Sequence, residues 1–359
     1  MDSGANHSYI ESLLDDQSLY ASVDVSGLRN RLSHLPDQCI EAWSKTKLMQ
    51  FDVGNHKTKN VVIIGMGGSA IAGDLLIDMA AVQKTVPISV VRDFSLPMKI
   101  DRSTLVVACS YSGQTEETMA LYKEAISNGA RLLVIGSGGD LVNQADSRNE
   151  MVLTIDLISE PRTAVAYSLL LLLGALSRLG IIVVDEEDVR DSISILSTTV
   201  DGLKEHVSYG TNTAKQLATK CLSKSLVIYG GGIFTGMARR WKTQINENSK
   251  SWAFYETIPE LLHNSIEAYA SNHNDGQFLI LLRPMLGDAR LQSRYNILEK
   301  MLSEYAIPFH IIDGDSGSIL SQILNMLALG DYVSYYLALA KGVDPAPNSV
   351  INRAKSFNE

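Results

Sequence analysis

The chain has 359 residues, 45% hydrophobic and 20% charged, which describes a soluble globular protein with a substantial core and room for two domains. A net charge of −9, with no basic run or Arg-rich stripe, argues against a nucleic-acid partner. Three scattered cysteines, Cys39, Cys109 and Cys221, form no CxxC pair and fit reduced, buried thiols in a cytoplasmic protein.

The opening residues, Met1 to His7, are polar and carry no signal-peptide pattern. From Tyr9 to Phe51 the spacing predicts helices, with Leu28, Leu32, Ile40, Trp43 and Leu48 inward and Pro36-Asp37 as a break or helix start. Asn60–Gly65 is an apolar run that predicts a buried strand, entering a glycine turn at Met66-Gly67-Gly68-Ser69 and a helix to about Ala81. Further strands are expected at Pro87–Arg92, Thr104–Cys109, Arg131–Gly136 and Met151–Asp156. Strands alternating with helices in this way indicate a parallel sheet covered on both faces.

From Pro161 to Cys221 the chain reads as helical, apart from a short apolar segment at Ile181–Val184. The uncharged stretch Thr163–Ser177 is too short to span a bilayer and predicts a buried helix, so no membrane is expected as a partner. Amphipathic helices are expected near Glu187–Thr199 and Asp201–Cys221. At Ser225 the α/β pattern restarts. Leu226-Val-Ile-Tyr-Gly-Gly-Gly echoes Val61-Val-Ile-Ile-Gly-Met-Gly, as a duplicated domain would. Strands at Gln277–Arg283 and Pro308–Ile312 follow, with helices at Asp288–Tyr305 and Ser318–Lys341 and a short basic tail.

The segment Leu105-Val-Val-Ala-Cys-Ser-Tyr-Ser-Gly-Gln-Thr-Glu-Glu-Thr118 concentrates the chemistry. It reads as strand, hydroxyl loop and helix, with Met119, Tyr122, Ala125 and Ile126 on the apolar face. Helix N-termini favour anions, and open α/β sheets bind ligands at strand tips. Ser110, Ser112 and Thr115 exceed what one helix cap needs, so the loop points to an anion such as phosphate. A competing reading takes Gly65-x-Gly67-x-x-Ala70 as a dinucleotide fingerprint, with Asp93 as the ribose-binding acid. The hydroxyl loop has no role in such a site, which favours a phosphosugar shared by both turns.

Glu247, in Asn246-Glu-Asn-Ser-Lys250, suits proton transfer if partly buried, whereas its spacing alone favours a solvated helix end with Glu247 and Lys250 weakly paired. His263 would ordinarily be a structural histidine. No HxH or HExxH grouping points to a metal. The motifs Gly65-Met-Gly-Gly-Ser-Ala70, Ser110–Thr118, Pro161-Arg162, Glu247-Asn-Ser-Lys250, His263-Asn264 and Gly342-Val-Asp-Pro…Lys355 occur in this order from about residue 36 onward. Together they resemble the bifunctional phosphoglucose/phosphomannose isomerase family, which carries sugar isomerase (SIS) domains.

The resemblance implies an α/β fold: two SIS-like doubly wound parallel-sheet domains with linking helices. The expected division is a helical segment 1–50, a first domain 51–160, linking helices 161–224 and a second domain with its tail, 225–359. The resemblance also implies interconversion of fructose 6-phosphate with glucose 6-phosphate and mannose 6-phosphate, without metal or other cofactor. Ser110, Ser112 and Thr115, with Gly68 and Ser69, would bind phosphate, and Glu247 would carry the proton between C1 and C2. Arg162 would stabilise the enediolate, while His263 and Lys355 would assist ring opening, with Lys341 and Lys250 as other candidate cations. A homodimer sharing His263 across its interface is expected on the same ground. The alternatives are an isomerase of another phosphosugar and a non-enzymatic phosphosugar-binding SIS regulator.

Overall fold

The computed structural model describes residues 10–48, 57–271 and 276–357, so the ends of the predicted helical segment, Tyr9 and Phe51, lie outside the described residues. By contacts the chain divides into two compact units. One comprises Pro36–Ile193 with Ser318–Ser321, and the other comprises the remaining described residues.

The first unit holds a five-stranded sheet: β1 (Asn60–Gly65), β2 (Ile88–Val91), β3 (Thr104–Ser110), β4 (Arg131–Gly136) and β5 (Met151–Thr154). The order is β2-β1-β3-β4-β5, and every pairing is parallel. Every residue of β3 is buried, as a central strand covered on both faces must be. Alternation along β1 divides the two covers. Val62 and Ile64 join the core made with Leu121 and Tyr122 of the helix Glu116–Ser127 and Leu141 of the helix Gly139–Ser147. Ile63 points the other way, where a β-carbon on Gly73 of the helix Gly67–Ala81 would come within 3.1 Å of it.

The Leu-rich helix Val165–Arg178 is buried around its whole circumference through Leu176. Its Gly174 lies so close to Thr46 that a β-carbon would come within 2.7 Å of the threonine side chain, so the helix Leu35–Leu48 covers it. The division by contacts therefore cuts across the chain-order division 1–50, 51–160, 161–224, 225–359. The apolar helix after the first sheet has faces to bury that this sheet's own helices supply.

The second unit holds β6 (Ser225–Gly231), β7 (Ala253–Ile258), β8 (Gln277–Arg283) and β9 (Phe309–Asp313), all parallel in the order β7-β6-β8-β9. β7 is absent from the sequence expectation. It is an edge strand whose four central residues are only partly buried or exposed, so Phe254-Tyr-Glu-Thr257 shows no apolar run. The long helix Ile319–Ala340 meets the length and apolarity of a membrane span, yet 89% of that window is buried in the protein. Its Asp331 forms a buried ion pair with Arg240 at 2.8 Å and accepts from Gln244 at 2.7 Å.

Three local expectations change. The amphipathic stretch Asp201–Cys221 is not one helix: Glu186–Leu203 ends, and Thr213–Lys220 begins anew at Asn212, whose side chain accepts from the Ala214 and Lys215 amides. The N-terminal stretch is broken at Asp24–Gly27, where buried Asp24 accepts from the Leu28 and Arg29 amides and Gly27 takes φ +68°. Leu28, Leu32 and Trp43 are buried as expected, but Ile40 and Leu48 are exposed.

Candidate active site

The first chain reversal of the sheet occurs at β1: the chain leaves it for β2 on one side and for β3 on the other. This switch point opens a crevice at the carboxyl ends of β1 and β3. β1 runs almost directly into its helix there, and β3 reaches its helix through the loop Tyr111–Thr115. The helix Gly67–Ala81 has Met66 at its N-cap and the helix Glu116–Ser127 has Thr115, and neither N-cap side chain bonds a first-turn amide. Thr115 Oγ1 lies 3.1 Å from Ser110 Oγ instead, so the simple capping role considered for it is absent. Ser110 Oγ also accepts from the Gly113 amide at 3.1 Å, and Ser112 Oγ from the Gln114 amide at 3.3 Å. The Tyr111 amide donates to Ser69 Oγ at 3.2 Å, which ties the two loops together. Four hydroxyls and two helix N-termini thus meet in one crevice, a setting that favours an anion through oriented N–H and O–H dipoles.

Glycines make this approach feasible. Gly113 sits at φ +66°, and a β-carbon there would overlap the Gly138 carbonyl oxygen. On Gly68 a β-carbon would stand 2.7 Å from the Pro161 carbonyl oxygen and 3.3 Å from the Arg162 α-carbon. The phosphate-loop candidates Gly68, Ser69, Ser110, Ser112 and Thr115 are therefore brought together with the turn Pro161–Ala164, in which Arg162 is buried. Two residues of the dinucleotide reading have local roles. Gly65 is needed where β1 and β3 touch, since a β-carbon would lie 2.6 Å from the Cys109 carbonyl. Asp93 accepts from the Phe94 amide at 2.7 Å, and neighbouring Arg92 is paired with Asp74.

The remaining candidates lie in the second unit. Glu247 is part-buried in the last turn of the helix Thr235–Ser249, and its Oε2 accepts from Asn348 Nδ2 at 3.2 Å. Glu247 lines a cavity of about 460 Å³ together with Trp252, Asn348, Val350 and Ile351. Lys341 donates to the Ser249 carbonyl at 2.8 Å and to Ser251 Oγ at 2.6 Å, and Lys250 donates to the Pro345 carbonyl at 3.2 Å. Both lysines thus fasten the end of the helix that carries Glu247. Lys355 is exposed at the far end of the tail helix Ser349–Lys355, which starts beside Glu247. His263 is exposed in the turn Glu260–His263, just past the carboxyl end of β7.

Residues 210–357 match the family described as the bacterial phospho-glucose isomerase C-terminal SIS domain. A bifunctional phosphoglucose/phosphomannose isomerase of Caldicellulosiruptor bescii is 35% identical over 326 residues, covering 90% of this chain and 96% of that relative. One of the same name from Aquifex aeolicus is 33% identical, covering 83% of this chain and 89% of the relative. The chain belongs to the bifunctional phosphoglucose/phosphomannose isomerase family. A solved structure from Thermus thermophilus, described as a hypothetical protein, superposes with a TM-score of 0.74 at 15% identity over 98% of this chain and 94% of its own, a likeness of fold.

In this member of the family the two glycine turns are not equivalent, although their sequences echo each other. At the switch point of the second sheet, β-carbons on Gly231 and Gly232 would come within 3.1 and 2.7 Å of the Leu291 side chain. An apolar side chain fills the place that the hydroxyl loop leaves open in the first sheet. Asn348, which touches the Glu247 carboxylate, escaped the sequence reading because one amide after a proline-rich tail carries no pattern. Among the described residues no three His, Cys, Asp or Glu side chains gather as metal ligands would.

Proposed function

We propose that this chain is an aldose–ketose isomerase that interconverts fructose 6-phosphate with glucose 6-phosphate and mannose 6-phosphate through a cis-enediolate. The observation that carries the reading is the switch-point crevice, where two helices start without side-chain caps among Ser69, Ser110, Ser112 and Thr115. In a member of this family such a crevice suits the phosphate of the sugar. Glu247 then removes the C1 proton of the open-chain ketose and returns it to C2, while Arg162 balances charge on the enediolate oxygen. His263 and Lys355 serve ring opening by exchanging protons with the ring oxygen and the anomeric hydroxyl. The chemistry moves protons only, and glycolysis and gluconeogenesis are the pathways such an exchange serves.

We further propose a homodimer in which His263 comes from the neighbouring subunit. Glu247 lies beside the edge of the second sheet where β7 begins, and His263 follows the edge where β7 ends. Five residue steps along β7 span about 17 Å. Placement near opposite ends of β7 supports a second copy as the source of the histidine. The three unpaired, buried cysteines support a reducing, cytoplasmic setting.

Incubation with fructose 6-phosphate in D2O, followed by NMR, tests the activity. Deuterium should appear at C2 of both glucose 6-phosphate and mannose 6-phosphate. Binding without exchange would overturn the isomerase reading and leave a phosphosugar-binding regulator.

A further inference from the structure

Tyr111 sits inside the hydroxyl loop, between Ser110 and Ser112, yet its phenol reaches a different part of the first unit. Its O–H donates to the Leu157 carbonyl at 2.5 Å and accepts from the Ser159 amide at 2.8 Å. These two groups flank Ile158, a residue that is 101% exposed. Burial of Ile158 therefore cannot hold this stretch of chain. The stretch leads from β5 into the turn Pro161–Ala164, which carries Arg162. On its upstream side the Ile155 amide donates to the Gly136 carbonyl at 2.9 Å. Downstream, the Ser159 and Thr163 hydroxyls are hydrogen-bonded to each other, and the Thr163 amide donates to the Glu160 carbonyl at 2.9 Å. The clamp on residues 157–159 thus continues directly into the Arg162 turn.

The same loop is fixed at its other end. The Tyr111 amide donates to Ser69 Oγ, and its carbonyl accepts from the Ser137 amide at 3.1 Å. Gly68, next to Ser69, packs its backbone against the Pro161 carbonyl with no room for a β-carbon. The Arg162 turn is therefore registered against the crevice twice, by Gly68 at Pro161 and by the Tyr111 phenol at Leu157 and Ser159.

We infer that Tyr111 is a positioning residue: its hydroxyl sets the Arg162 turn in register with the loop that receives the sugar phosphate. The inference rests on the isomerase reading and assigns a role within that same site. The backbone of residue 111 contributes to the crevice, whereas the phenol contributes only through the strap. Loss of the hydroxyl should leave the anion site intact and displace the cation that the enediolate needs. A displacement of about 1 Å in such a group can cost about a hundredfold in rate.

The test is Tyr111→Phe, which retains the ring. The turnover number with fructose 6-phosphate should fall roughly ten- to hundredfold, with the Michaelis constant changed less than about twofold. Affinity for inorganic phosphate, measured by calorimetry, should stay at the wild-type value and also show that the crevice is folded. In an Arg162→Lys background the same substitution should cost less than about threefold, because the group it positions has already been changed. Wild-type turnover in Tyr111→Phe, or the full loss repeated in the Arg162→Lys background, would overturn the inference. A wild-type protein without isomerase activity would instead overturn the functional reading on which it rests.

Discussion

Replacing Gly113 with alanine probes whether the hydroxyl loop must fit against the turn after β4. Two penalties are visible in the structure. Alanine at φ +66° strains the backbone by roughly 1–2 kcal/mol. Its β-carbon would also overlap the Gly138 carbonyl oxygen and come within 2.9 Å of the carbonyl carbon, so the loops must separate. Separation strains the bonds from the Leu141 amide to the Gly113 carbonyl and from the Ser137 amide to the Tyr111 carbonyl, both 3.1 Å. Each hydrogen bond to a charged group contributes about 1.5–3 kcal/mol, so losing one to the phosphate raises the Michaelis constant roughly ten- to hundredfold. Gly129→Ala is the control. It carries a similar φ of +71° with nothing within 4 Å of the added carbon, so it should lower stability and leave the Michaelis constant alone. Initial rates with fructose 6-phosphate, alongside melting curves, separate the two. A folded Gly113→Ala protein with a wild-type Michaelis constant would refute the role assigned to this contact.

Mixed Glu247→Gln and His263→Ala chains, each inactive alone, should regain activity as subunits exchange; mixtures that exchange and stay inactive would place both residues in one chain. Asp331→Ala removes the carboxylate from the buried Arg240 and should destabilise the second unit by about 3–5 kcal/mol in denaturant titrations, and a loss under about 1 kcal/mol would show that Arg240 is otherwise compensated. Burial pushes the thiols of Cys39, Cys109 and Cys221 up to about 12, since desolvation opposes the thiolate. Native protein at pH 8 should therefore resist alkylation, with all three sites labelled in denaturant; labelling of any one without denaturant would contradict its burial.

Sequence alone determined the parallel α/β architecture and the clustering of hydroxyls in one strand-to-helix loop. Both rest on local signals: the apolar runs at Val61–Ile64 and Leu105–Cys109 bury strands on both faces, and the hydroxyls at Ser110, Ser112 and Thr115 lie within a few residues of one another. Tertiary structure decided what depends on neighbours far away in the chain. β7 forms because an exposed edge strand can draw its hydrogen bonds from β6, whatever its own apolar pattern. The break at Lys204–Thr211 follows from Asn212 starting a new helix, which the amphipathic spacing conceals. Of two similar glycine turns, only the first lies open, since Leu291 packs onto the second from a distant helix. The tie between Tyr111 and the chain at Leu157 and Ser159 is of the same kind. A hydroxyl announces its chemistry in the sequence, but its partner is chosen by the packing of strands that the sequence keeps apart.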